Sequence, residues 1–207
     1  MSSSLSSLIY DTLLEKILNN DIPAGEFINR REIADQMNVS VAPVLEAMVL
    51  LENDRLLETM PRKGTRVCLV RNEDISGYLF VREALECSVA RMICGKRISN
   101  AMKTLIPLAR EVDAAPHRSL IYFRKDYEFH TALVRLCECE VLNKEYDRIT
   151  KLGLFYNTNR LVDPDDAAVR YSHLKLLEQL KTAALDEAYH IMRSHIISGK
   201  GSLVITK

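Results

Sequence analysis

The spacing of apolar residues changes character near residue 70. Before that point, a short helix over residues 31–37 is followed by the turn Asn38-Val39 and by a second helix that begins after Ser40. Ser40 is a favourable N-cap residue, and Pro43 falls in the first turn, where its missing N–H costs little. An amphipathic helix precedes this pair, and its apolar positions are Leu8, Ile9, Leu13, Leu14, Ile17 and Leu18.

Two extended runs follow the second helix of this pair. They cover Leu56 to Thr59 and Thr65 to Leu69, and the basic turn Pro61-Arg62-Lys63-Gly64 joins them. Two helices followed by a basic-tipped hairpin predict a winged helix-turn-helix, whose second helix lies in the major groove of DNA while the wing contacts phosphate or the minor groove. We therefore predict a DNA-binding domain over residues 1–70.

From residue 71 onward the strand signals stop, and apolar positions recur three and four residues apart. The first helix begins at 72–74, with the inward stripe Ile75, Leu79, Arg82, Glu86, Val89 and Ile93. Five more helices are predicted over residues 100–112 (kinked at Pro107), 119–138, 142–157, 163–181 and 186–198. The predicted fold is mainly α: a winged helix-turn-helix, then an all-α bundle over 71–200 and a short tail over 201–207.

Composition and charge exclude several classes of protein. The chain has 207 residues and a formal net charge of zero, so no whole-protein field attracts nucleic acid or a membrane. No apolar run approaches the roughly 20 residues of a membrane span, and the amino terminus lacks the basic region of a signal peptide. The five cysteines include only one closely spaced pair, a C-x-C, which favours unpaired thiols in a reducing compartment. We predict a cytoplasmic location and no membrane partner.

Positive charge in the predicted DNA-binding domain is local. Residues 1–70 contain seven Lys/Arg against ten Asp/Glu, a net formal charge of −3. The basic residues cluster at Arg30-Arg31 and around the wing, at Arg62, Lys63 and Arg66. Such patches can contact phosphates, but few contacts mean weak binding with a shallow dependence on salt.

The positions of the histidines single out four residues. Asp126 and His130 share one helical face with apolar residues, and His173 and His195 each lie on an apolar stripe of a later helix. His190 falls on a solvent face, and His117 lies in a loop. Three imidazoles and a carboxylate that meet inside a bundle would suit a transition metal. The alternative for each histidine alone is a hydrogen-bonded core residue.

The predicted DNA-binding domain over residues 1–70, called the head below, resembles the amino-terminal domain of the GntR family of bacterial regulators. The core pattern of that family reads Ser-Arg-Thr-Pro-Val-Arg-Glu-Ala-Leu. Ser40, Pro43, Val44, Glu46, Ala47 and Met48 are in register with it, and the basic residue before the first helix and the wing are also present. The family's two arginines and its threonine are replaced by Val41, Leu45 and Ala42. The resemblance implies DNA contact at Arg31, Ser40, Val41, Ala42, Pro43, Leu45, Arg62, Lys63 and Gly64.

The helical part resembles the FCD domain of the largest GntR subfamily, on Arg82…Glu86, Asp126-x-x-Phe129-His130, His173 and His195. The resemblance implies that Asp126 and the three histidines hold one divalent ion, with zinc or nickel favoured over manganese or iron. It also implies a pocket for a small carboxylate at the open positions of the ion. Arg82 is a candidate to bind that carboxylate, and an intrahelical pair with Glu86 is the equal alternative.

These features together predict a metabolite-responsive transcription regulator, a repressor, that acts as a homodimer on operator DNA. One alternative is a metal-dependent enzyme, although Glu86 is the only spare inward carboxylate to act as a general base. The other is a sensor that does not bind DNA, as the replacements at Val41, Ala42 and Leu45 suggest.

Overall fold

The computed structural model describes residues 4–117, 119–159 and 172–198. The first seventy residues contain three helices and three short strands, which run in chain order as follows: α1 Leu5–Leu18, β1 Phe27–Ile28, α2 Arg30–Met37, α3 Val41–Asn53, β2 Leu57–Met60 and β3 Gly64–Val67. The strands form an antiparallel sheet in the order β1-β3-β2. The predicted winged helix-turn-helix is therefore confirmed.

The strand boundaries differ from the prediction by one or two residues. β2 pairs with β3 from Leu57 opposite Val67 to Met60 opposite Gly64, so the wing turn is tighter than the sequence suggested. Gly64 has φ +109°, a conformation that L side chains rarely adopt. The two-residue strand β1 was not predicted, because two residues carry no periodic signal.

Local side-chain bonds explain where α1 and α2 begin. Ser4 caps α1 by accepting from the backbone N–H of Ser7, and Asn29 caps α2 by accepting from that of Arg31. Asn38 ends α2 in the left-handed conformation, which allows the tight turn into α3. Ser40 is the N-cap residue of α3, but its side chain makes no capping bond.

The core of the head lies between α1, α3 and the sheet. Its fully buried members are Ile9, Leu13, Ile17, Val44, Ala47, Leu51, Leu56 and Val67. The apolar positions of α3 at spacings of three and four fall on this inner face. The opposite face of α3 is consequently exposed to solvent.

Six helices follow among the described residues, and the predicted all-α second part is confirmed. They are α4 Asn72–Ile93, α5 Lys96–Ala114, α6 Leu120–Arg135, α7 Glu140–Asn159, α8 His173–Thr182 and α9 Leu185–Ser198. Helix α5 is longer than predicted and continues through Pro107. On α4, Tyr78 is buried where the sequence had predicted Leu79. The predicted helix start near residue 163 and the tail 201–207 lie outside the described residues.

The chain divides into two compact units. One contains residues up to Arg71 together with the last turns of α7 from Lys151, and the other contains the remaining helices. Within the part that the structure describes, no helix is both long and apolar enough to cross a membrane.

A candidate metal centre in the helical unit

Four predicted ligand residues lie together in the helical unit. Asp126 and His130 are one turn apart on α6, His173 is the first residue of α8, and His195 lies in the last turn of α9. All four side chains are buried. Each offers one donor atom, and these four atoms lie within 4.8 Å of one another. Residues 47 and 65 positions apart along the chain are thus neighbours.

The spacing of these atoms suits a single cation. Asp126 Oδ1 lies 3.1 Å from His173 Nε2 and 3.6 Å from His130 Nε2, and the Nε2 atoms of His130 and His195 are 3.2 Å apart. Donor atoms that share one zinc ion at about 2.0–2.1 Å lie roughly 3.0–3.4 Å from each other. Three imidazole nitrogens and one carboxylate oxygen are also a donor set that zinc, nickel, manganese and iron accept.

A second carboxylate stands behind each of two histidines. Asp113 Oδ1 is 2.8 Å from Nδ1 of His173, and Glu86 Oε2 is 2.7 Å from Nδ1 of His130. The contact with Glu86 is close, but its atoms are not aligned for a straight hydrogen bond. A carboxylate at Nδ1 holds a proton on that nitrogen and leaves the lone pair of Nε2 for a metal. Both Nε2 atoms face the cluster.

Asp113, near the end of α5, also fixes the start of α8. Its carboxylate accepts from the backbone N–H groups of His173 and Leu174 at 2.9 and 3.3 Å and from Ser172 Oγ at 2.7 Å. Burial would raise the pKa of Asp113, but its bonds to His173 and Ser172 outweigh this and lower it to about 2. The charged carboxylate therefore holds His173 by both backbone and ring. Asp113 was not among the site residues predicted from the sequence.

The protonation of the cluster is uneven. Burial lowers the pKa of His195, and the neighbouring His130 and His173 lower it further. Burial also lowers the pKa of His130, against the attraction of Glu86. At His173 the effect of burial is overcome by hydrogen bonds to Asp113 and Asp126, which raise its pKa to about 9. At neutral pH, His173 carries the proton that a metal ion would have to displace.

Arg82, the candidate for the effector carboxylate, is buried beside the cluster. It pairs with Glu86 one turn along α4 and, through Nη2 at 3.2 Å, with Asp126. Its guanidinium carbon lies 5.2 Å from the centre of the Tyr127 ring, and Tyr146 donates to Glu86 at 2.6 Å. Nη1 of Arg82 has no hydrogen-bond partner among the described residues. The intrahelical pair between Arg82 and Glu86, which the sequence offered as an alternative, is therefore present. Nη1 of Arg82 remains as one further donor group.

An open cleft of about 260 Å³ lies between α8 and α9. His195 forms part of its wall, so the cleft leads from solvent to one residue of the cluster. Its other polar lining includes Lys175, Gln179, His190 and Ser194. His190 is exposed, in contrast to His195 five residues later.

The residues predicted to contact DNA lie on the surface of the head. Arg31 at the start of α2 and Arg62, Lys63 and Gly64 at the wing tip are exposed. Ser40, Val41, Ala42 and Leu45 are exposed along the first turns of α3, and Pro43 is half-buried. The exposed fractions of Val41 and Leu45 are 37% and 46%. At Val41, Ala42 and Leu45, α3 therefore presents carbon atoms and not guanidinium groups to solvent.

Comparisons with known proteins agree with this architecture. A sequence model of the gntR family of bacterial regulatory proteins matches residues 5–67, and one of the FCD domain matches residues 78–198. The HTH-type transcriptional repressor RspR of Escherichia coli is 24% identical over 197 residues, which cover 91% of this chain and 84% of that protein. The Nta operon transcriptional regulator of Aminobacter aminovorans is 28% identical over 174 residues, with 83% and 81% covered.

Solved structures share the fold at lower identity. A GntR transcriptional regulator from Rhodococcus sp. RHA1 superimposes with a TM-score of 0.73 at 19% identity, and Escherichia coli McbR/YncC with 0.69 at 16%. Each comparison covers 98% of both chains. A winged helix-turn-helix followed by an FCD-type helical unit defines a class of transcription regulators, not of enzymes. Within that class, this chain belongs to the GntR family and carries its FCD domain.

Proposed function

We propose that this chain is a metabolite-responsive repressor whose helical unit binds one divalent metal ion and a small carboxylate. Asp126, His130, His173 and His195 would hold the ion. The observation that carries the proposal is the convergence of their four donor atoms within 4.8 Å in a buried site. Left without an ion, the Nε2 atoms of His130 and His195 would face each other at 3.2 Å. At most one shared proton could then satisfy both nitrogens.

The donor set supports zinc or nickel first, with manganese or iron as further candidates. A bound ion would supply open coordination positions for carboxylate oxygens. The chain contributes the rest: Asp113 orients the His173 ring, Glu86 places a carboxylate beside Nδ1 of His130, and Arg82 holds Asp126 through Nη2. Orientation of this kind fixes which atoms face the ion.

Metal content tests the site directly. We expect the purified protein to contain one divalent ion per chain by elemental analysis, and His173→Ala and His195→Ala to contain clearly less. His190→Ala is the matched control, because His190 lies on the same helix as His195 but is exposed. Unchanged metal content in both cluster variants would contradict the assignment.

The effector proposal rests on Arg82 and the cleft between α8 and α9. Nη1 of Arg82 is a buried donor without a partner among the described residues, and guanidinium groups bind carboxylates well. Arg82 does not line the cleft itself, whose wall beside His195 carries the cation Lys175. We expect a thermal-shift screen of small carboxylic acids to find ligands that stabilise the metal-loaded protein and fail to stabilise the His195→Ala variant.

We also propose a homodimer that places two winged heads on a pseudo-palindromic operator. An effector can change DNA affinity only if it binds two arrangements of the protein unequally. The test is migration of the protein's own promoter DNA in a gel at low salt, with and without the acids found by the screen. A repressor should bind in the absence of inducer and release in its presence.

The alternative, a sensor that does not bind DNA, follows from the exposed Val41, Ala42 and Leu45. Those side chains cannot replace arginine as a bidentate partner of guanine. The same gel experiment separates the two functions. No complex with any upstream fragment, at low salt and with metal bound, would favour the sensor.

A further inference from the structure

An exposed apolar strip runs along α3 from Val41 to Val49. Val41, Leu45 and Val49 have 37%, 46% and 45% of their surface exposed, and Ala42 is exposed beside them. The helix is already anchored by a separate buried face, which includes Val44, Ala47 and Leu51. The outward carbon atoms are therefore not needed to hold α3 in the head. Within the described part of the chain, Val41, Leu45 and Val49 each keep more than a third of their surface exposed.

Basic residues flank this apolar strip. Helix α2 and strand β2 both pack against α3. Helix α2 begins with the exposed Arg30 and Arg31, and the turn after β2 carries the exposed Arg62 and Lys63. An apolar strip between two cationic edges matches the major groove of a duplex, where base edges lie between two phosphate backbones. A second copy of this chain packed on the same strip would instead place like-charged residues opposite one another.

Base edges in the major groove offer one apolar group, the C5-methyl of thymine. Guanine presents acceptors that arginine reads, and Val41 and Leu45 have no donor for them. We infer that α3 reads thymine methyl groups through Val41, Ala42 and Leu45, so that the operator carries thymines where arginine-bearing relatives would require guanines. This inference rests on the DNA-binding part of the proposed function.

Selection from random duplexes gives the first test. The full-length, metal-loaded protein should enrich sites with thymines at fixed positions on both sides of a dyad. Guanines at those positions, or complexes that show no sequence preference, would overturn the inference and leave DNA binding intact. No complex with any duplex at low salt would overturn both the inference and the DNA-binding function.

Replacement of thymine by deoxyuridine gives the sharper test, because it removes only the methyl group and keeps the base pair. Burying one methyl-sized group changes affinity about three- to fourfold. Each contacted thymine of the selected site should therefore show a loss of about that size in a titration with the deoxyuridine duplex. Equal affinity for both duplexes at every position would overturn the inference.

Variants assign the contact to α3. Leu45→Ala should abolish the difference between thymine and deoxyuridine at one position of each half-site. Leu50→Ala is the matched control, since Leu50 has the same exposed fraction on the same helix but points about 140° away. It should keep the full difference. Both residues are exposed, so thermal unfolding should show that both variants fold. A Leu45→Ala protein that still distinguishes the two duplexes at all positions would overturn the assignment.

Discussion

At the scale of single residues, the contacts behind the histidines matter as much as the histidines themselves. His173 has both ring nitrogens engaged, Nδ1 with Asp113 at 2.8 Å and Nε2 with Asp126 at 3.1 Å. The second contact is one that a metal ion would replace, and the first would remain. Asp113 is therefore the residue that keeps His173 oriented in either state.

Asp113→Asn should lower metal affinity about 10- to 100-fold when it is measured above about pH 9, where no proton on His173 competes with the ion. The amide oxygen can still accept from the backbone of α8, but its uncharged group no longer favours a proton on Nδ1 of His173. A competition titration with a chelator measures the change. Asp186→Asn, on the exposed start of α9, is the control and should leave the affinity unaltered. Equal affinities for all three proteins would show that Asp113 only caps the helix.

Metal affinity should rise with pH up to about 9. The pKa of His173 is raised to about 9, above its ordinary value, so its ring is protonated throughout the neutral range. The pKa values of His130 and His195 are lowered, so these rings are already neutral there. Binding must then displace one proton, and the affinity should increase about tenfold per pH unit between about 7 and 9.

Calorimetric titration in buffers of different ionisation enthalpy would count that proton. Release of one proton per ion at pH 7.5 is expected, and Asp113→Asn should move the plateau to a lower pH because it removes one of the bonds that raise the pKa. An affinity that does not vary between pH 7 and 9 would contradict the protonation of His173.

The sequence could predict residues whose side chains follow helical periodicity. Asp126, His130, His173 and His195 share faces with apolar neighbours, and the structure buries all four. Asp113 could not be predicted in this way, because its partners lie about 60 residues further along the chain. It also lies near the end of a helix, where periodicity no longer fixes direction. Arg82 was predicted to face inward, but its second pair, with Asp126, depends on tertiary packing.

At the scale of elements, the last turns of α7 belong with the head. Lys151 donates to Asp54 at 2.9 Å and to Tyr10 at 2.6 Å, and the Tyr10 hydroxyl donates to Asp54. Burial and the Asp54 bond raise the pKa of Tyr10 to about 12. The three groups join α1, the end of α3 and α7 through one half-buried polar cluster. The sequence predicted these helices but gave no sign that they meet, since helical patterns carry no long-range information.

Lys151→Met should destabilise this unit by about 1–3 kcal/mol, because Asp54 would lose its cationic partner in a half-buried position. Urea unfolding measures the difference. Lys144→Met, in an exposed pair with Glu140 on the same helix, should change stability by less than about 0.5 kcal/mol. In a double-mutant cycle with Asp54→Asn the two effects should be non-additive. Strictly additive effects would mean that the cluster contributes nothing as a unit.

At the scale of the whole molecule, the distribution of charge limits how much phosphate contacts can contribute to DNA binding. The formal net charge of the protein is zero, and that of residues 1–70 is −3. Arg66 is paired with Glu58 at 2.8 Å, which leaves Arg30, Arg31, Arg62 and Lys63 as the exposed basic residues of the two patches. Phosphate contacts are thus few, and the apolar face of α3 would have to supply the discrimination between sequences.

The salt dependence of DNA binding should therefore be shallow. Each neutralised phosphate contributes about −0.9 to the slope of log affinity against log salt concentration, so four basic residues set a limit of roughly −3.6 per head. Arg62→Ala and Lys63→Ala should each reduce the magnitude of this slope by about one and weaken binding to every duplex alike. Leu45→Ala should leave the slope unchanged, because it removes no charge. Titrations at several salt concentrations, on a selected site and on a scrambled one, measure the salt slope and the affinity for each duplex.

A slope much steeper than this limit would mean that DNA contacts cations outside the two basic patches. A slope altered by Leu45→Ala would mean that α3 holds the wing on the phosphates instead of reading bases.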